Sequence, residues 1–177
     1  MNERIRAARM PIAVLASATV FLLSRPADGL AQSARIGLEL GATPAGMTLE
    51  RLNGDGGELD LSGSIGTRPV LLEFWATWCE NCEALHPQLL EAHAEFGDRM
   101  DLYAIAVGVN QSPRRIRRHL EKMPLPFPLL WDEKGAAVRE FQAPNTSYIV
   151  VLNADGRVTY TGTGAGQDIE SAIRTGL

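Results

Sequence analysis

Cysteine is scarce in this sequence: Cys79 and Cys82 are the only two in 177 residues. That count excludes a disulfide-dense scaffold and an all-cysteine zinc site, which would need four thiolates. Excess positive charge is also lacking. The formal net charge is −4, so there is no electrostatic case for nucleic acid as a partner. No apolar run is long enough for a comfortable membrane span of roughly 20 residues; the longest, Met10 to Leu23, has 14. Internal repeats and low-complexity segments are missing as well. What remains is an ordinary globular composition, 45% apolar and 21% charged, which argues against disorder, collagen and coiled coil.

The N-terminus speaks to the compartment. Arg4, Arg6 and Arg9 precede the short apolar run, and small residues including Gly29 and Ala31 follow it. A basic stretch, a short apolar core and a small-residue pair form a secretory signal peptide. Cleavage after Ala31 is expected, with an uncleaved membrane anchor as the alternative. No cysteine lies near that point, which argues against a lipoprotein. Residues 1–31 hold four arginines and two acids, so the remaining 146 residues would carry 13 basic and 19 acidic side chains, a net −6. A chain of that length can bury one real core. The expected location is periplasmic or otherwise extracytoplasmic, either soluble or tethered.

Residues 32–177 read as one domain. Met47–Leu52 and Glu58–Leu61 flank a glycine-rich turn and predict a β-hairpin. Val70–Ala76 is a nearly continuous apolar run, suited to a strand covered on both faces. A helix is expected over Glu80–Phe96, with Cys82, Leu85, Leu89, Ala92 and Phe96 on one face and Pro87 inside it. Leu102–Val109 reads as a strand. Ser112-Pro113 then starts a helix whose stripe is Ile116, Leu120 and Met123. Prolines at 124, 126 and 128 lead into an extended segment, Phe127–Trp131. Tyr148–Leu152 and Arg157–Thr161 flank an Asp155-Gly156 turn, and a short helix, Gln167–Arg174, follows. Alternating strands and helices make the fold class α/β.

The chemistry sits in Trp78-Cys79-Glu80-Asn81-Cys82, at the junction of the buried strand with the helix. A helix N-terminus presents free N–H groups and the positive end of its dipole, which stabilise a thiolate at Cys79. Cys82, one turn further on among Leu85 and Leu89, should be shielded. That asymmetry suits an exchange enzyme in which Cys79 attacks a disulfide and Cys82 resolves the mixed disulfide. A structural staple and half of a soft-metal site are the alternatives.

The stretch from Leu72 to Cys82, with Pro87 five residues beyond, resembles the active-site region of the thioredoxin superfamily. The leader, the hairpin and Leu125-Pro126-Phe127-Pro128 narrow the resemblance to the TlpA/ResA branch of extracytoplasmic thiol–disulfide oxidoreductases. It implies a thioredoxin-like fold, a mixed sheet flanked by helices, with an N-terminal hairpin extension. It further implies a monomeric reductant of protein disulfides with an upstream membrane electron donor, many relatives serving cytochrome c assembly. No cofactor is expected beyond the redox-active Cys79–Cys82 pair.

Glu73 lies where thioredoxins place a buried acid, six residues before Cys79. Burial raises a carboxyl pKa, so Glu73 is a candidate to exchange protons with Cys82; a carboxylate satisfied by a partner, or pointing outward, is the alternative. Trp78 is expected to flank the motif and position the partner. Glu80 is expected to be exposed and to tune Cys79 by opposing its ionisation. The family's cis-proline loop has one proline candidate, Pro144, although counting back from the Asp155-Gly156 turn puts the position nearer Asn145 or Ser147. His86, four residues after Cys82, could join both thiolates in a copper site, but His93 and His119 are not spaced to supply a fourth ligand, so no metal is expected. A non-catalytic adaptor is the third alternative. Arg114, Arg115, Arg117 and Arg118 read as a solvated face paired with Glu121, Asp132 or Glu133, or else as a docking face for an acidic partner or an anionic membrane. Trp75 and Trp131 read as core.

Overall fold

The computed structural model describes residues 37–177. The expected signal segment, residues 1–31, lies outside the described residues. Seven strands form one sheet: β1 (Thr48–Arg51), β2 (Glu58–Asp60), β3 (Val70–Trp75), β4 (Asp101–Val107), β5 (Leu129–Asp132), β6 (Tyr148–Leu152) and β7 (Val158–Gly162). The helices are α1 (Glu80–Phe96), α2 (Pro113–Leu120), α3 (Ala136–Glu140) and α4 (Ile169–Arg174). The strand order is β2-β1-β5-β4-β3-β6-β7.

The β3–β4 and β4–β5 pairs are parallel; all others are antiparallel. The hairpin extends the sheet, because β1 pairs with β5 through Glu50↔Trp131 and Arg51↔Leu130. This is the expected thioredoxin-like α/β fold. β3 and β6 are buried at every position, which accounts for apolar runs without alternation in central strands.

Two crossovers between parallel strands, right-handed by the general rule for such connections, place the helices. The chain steps from β3 through α1 to β4, then in the same direction through α2 to β5, so α1 and α2 cover one face. Trp75 packs edge-on against His119 of α2, ring centroids 5.2 Å apart. Alternation along β3 therefore turns Glu73 to that same face. Phe74 points to the other face, against Phe141 at the end of α3 and Tyr148 across the strand pair. Trp75 and Trp131 lie in the core, as expected.

Boundaries differ from expectation where local pattern runs past the last hydrogen bond. β4 stops at Val107, and α2 ends at Leu120, leaving Met123 outside the helix. α3 has no counterpart in the sequence reading. It is five residues long, and its N-cap, Gly135, is left-handed with no capping side chain.

Candidate active site at the strand–helix junction

Cys79 is the N-cap of α1, with extended backbone, and its Sγ accepts the Cys82 N–H at 3.1 Å. A sulfur there meets the Cys82 amide, which also donates to the Cys79 carbonyl at 3.1 Å, and the positive end of a 17-residue helix. Cys79 and Cys82 are joined by a disulfide, with Cα atoms 5.2 Å apart. Their exposures are 4% and 1%, so Cys79 is the more accessible only by a small margin. The Cys82 sulfur lies 3.9 Å from the Phe74 carbonyl oxygen.

Glu73 is 1% exposed, in register with Ala104 on β4 and Ile149 on β6. Its Oε1 has no hydrogen-bond partner. Loss of water without a compensating partner pushes its carboxyl up to about 8. The outward-pointing alternative is thereby ruled out, and Glu73 is protonated through most of the neutral range.

The turn between β3 and α1 is tied to the loop after β4. The Gln111 side chain accepts the Thr77 N–H at 2.9 Å and donates to the Val107 carbonyl at 2.6 Å. The Trp78 indole N–H donates to the Val109 carbonyl at 3.0 Å. Trp78 is 46% exposed and Val109 55%, so the pair leaves an apolar surface beside the disulfide. Glu80 is exposed in the first turn of α1.

The bond before Pro144 is not cis, and no peptide bond among the described residues is. The loop meets the end of β3 at Ser147, whose N–H donates to the Phe74 carbonyl at 2.7 Å. Counting back from the turn indicated Asn145 or Ser147, and it is Ser147 that makes this contact. Ser147 is buried in a left-handed conformation, φ 62°. Its Oγ accepts the Gly164 N–H at 3.0 Å, and its carbonyl accepts from Gln167 Nε2 at 3.0 Å. Phe74 O thus faces both Cys82 and Ser147. The sequence reading missed Gln111, Val109 and Gln167, whose roles depend on residues 4 to 34 positions away and leave no local pattern.

His86 is half-buried, and burial together with neighbouring His119 lowers its pKa. Among the described residues no group of three His, Cys, Asp or Glu side chains could hold a metal ion. The arginine cluster departs from its expected pairing. Arg117 meets Glu50 at 3.4 Å, and Asp132 is buried, accepting the Val138 N–H.

Residues 35–177 match the family described as Redoxin. The thioredoxin-like protein YneN of Bacillus subtilis is 30% identical over 102 residues, 56% of this chain and 58% of its own length. The thiol-disulfide oxidoreductase ResA of the same organism is 26% identical over 125 residues, 70% of this chain and 67% of its own. Of solved structures, a secreted Mycobacterium tuberculosis disulfide oxidoreductase superposes with TM-score 0.62 at 25% identity, covering 73% of this chain and 93% of that one.

Proposed function

This chain belongs to the Redoxin family, on the TlpA/ResA-like side of the thioredoxin superfamily, and we propose that it is an extracytoplasmic thiol–disulfide oxidoreductase that reduces protein disulfides. The observation that carries the reading is the Cys79–Cys82 disulfide at the N-cap of α1, which follows the strand that carries the buried Glu73.

In the dithiol form, Cys79 attacks one sulfur of a partner disulfide and forms a mixed disulfide. The partner's other sulfur leaves as a thiolate and takes a proton. Cys82 then attacks Cys79, re-forming the Cys79–Cys82 bond and releasing the second partner thiol. Two electrons and two protons pass to the partner. The helix N-terminus and the Cys82 N–H favour the attacking thiolate. Glu73, pushed up to about 8 by burial, holds a proton near neutral pH and is the group that would exchange it with Cys82. The pair is the only redox group the cycle needs; an upstream membrane dithiol donor would regenerate it.

The extracytoplasmic assignment rests on the basic leader and short apolar run of residues 1–31. No helix of the described residues is long and apolar enough to cross a membrane. Service in cytochrome c assembly is the narrower form of the same proposal.

Cys82→Ser is expected to trap mixed disulfides through Cys79 in its own cell envelope, and Cys79→Ser is not. Equal trapping by the two variants would overturn the assigned roles.

A further inference from the structure

We propose that the arginine face of α2 is a docking surface for an acidic protein partner that presents its disulfide to Cys79; this deepens the exchange reading above and rests on it.

Topology puts the face at the right edge of the sheet. β3 and β4 are parallel, so the loops after both strands lie at one edge, the Cys79 turn on the first and residues 108–112 on the second. The Trp78–Val109 bond joins those loops. Arg115 reaches back to the Asn110 carbonyl at 3.3 Å, beside that junction. Arg114 precedes it, and Arg118 is four residues past Arg114, on the same side of the helix.

Part of the charge there has no counter-charge among the described residues. All four arginines are exposed, and Ile116 is the only buried residue of α2. Arg117 is engaged by Glu50, whereas Arg114 and Arg118 make no ion pair among the described residues. Like charges at four-residue spacing repel, and cations in a first turn oppose the dipole. Arg114 and Arg115 are the ones so placed, whereas Arg117 and Arg118 lie in the last turn, where the dipole favours them. Residues 76–82 and 108–118 together hold four arginines and one acid, Glu80, in a chain of net charge −4. A partner bearing carboxylates would supply the missing counter-charges. The exposed Trp78–Val109 surface beside the disulfide favours a protein over a bilayer, since a partner bonded to Cys79 must lie across that edge.

The test uses the reduced protein and three oxidised probes in stopped flow: a peptide with an internal Cys–Cys disulfide flanked by aspartates, the same peptide with asparagines, and bis(2-hydroxyethyl) disulfide. Each reaction converts two protein thiols to the Cys79–Cys82 disulfide and the probe disulfide to two thiols. The aspartate peptide is expected to react about ten-fold faster than the asparagine peptide at low salt, the ratio shrinking as salt screens the charges. Arg114→Gln with Arg118→Gln should bring the ratio to about one while the hydroxyethyl disulfide still reacts at the parent rate. Equal peptide rates in the parent protein, or a ratio untouched in the double variant, overturn the docking surface alone. If no probe is reduced, the exchange reading falls and takes the surface with it. Equal peptide rates together with arginine-dependent binding to phosphatidylglycerol vesicles overturn it in favour of an anionic membrane.

Discussion

Replacing Glu73 with glutamine should change how stability depends on pH. The side chain is buried, Oε1 has no partner, and burial raises its pKa from 4.5 to about 8. In the unfolded chain the carboxyl regains water and titrates near 4.5. Between these values the folded state holds a proton that the unfolded state has lost, so stability falls as pH rises. The contribution is fully present below the unfolded pKa and is lost as pH passes through the folded one. At about 1.4 kcal/mol per pH unit, the raised pKa corresponds to about 5 kcal/mol across the window. Typical domains have only about 5–15 kcal/mol in total.

Glutamine carries no charge at any pH, so Glu73→Gln removes this slope. A constant offset from its buried amide leaves the slope untouched. The assay is denaturant unfolding of the disulfide form of both proteins from pH 4 to 9; with the bond intact the cysteines do not titrate. The parent should lose stability relative to the variant at about 1.4 kcal/mol per pH unit between about pH 5 and 8. Parallel profiles would show that Glu73 ionises in the native state at its ordinary pKa, and the proton-exchange role would go with it.

The other predictions concern the loops that hold the site. Ser147 has a left-handed backbone, which costs a non-glycine residue roughly 1–2 kcal/mol, and its Oγ bond to Gly164 offsets part of that. Ser147→Gly should leave stability within about 1 kcal/mol of the parent, while Ser147→Val should destabilise by more than about 2 kcal/mol; equal denaturation midpoints for the two variants would refute the left-handed assignment. Gln111→Ala strips the Thr77 N–H of its partner and should cost about 1–3 kcal/mol. It should also raise Thr77 and Trp78 amide exchange, and unchanged protection there would show that Gln111 does not hold the turn.

Much of the fold could be read from local pattern. α1 spans the expected residues because its apolar face recurs at helical spacing, and β6 because it is an uninterrupted apolar, partly β-branched run. α3 could not be read: five residues are too few for a period, and a left-handed glycine cap is not a start signal. The site divides the same way. The cysteine pair and the acid six residues before it belong to one strand–helix segment, so their placement follows from chain order. The Ser147 contact with Phe74 spans 73 residues, and the Arg117–Glu50 pair spans 67. Such contacts depend on strand order and loop path, which residue type does not encode locally.

That division has a chemical consequence. Local sequence alone makes the two sulfurs unequal, one at the helix cap and one a turn inside it. The acceptor facing Cys82 is set from a distance. Phe74 O is held by the Ser147 N–H at 2.7 Å, and the loop carrying Ser147 is held by Gly164 and Gln167. A proline at that position would have no N–H to give. With serine, the carbonyl facing the resolving sulfur already accepts one strong hydrogen bond. It is then a weaker hydrogen-bond acceptor for a Cys82 thiol. The buried acid belongs to the same sequence segment as the cysteines, whereas the serine that holds the Phe74 carbonyl comes from a loop 73 residues away.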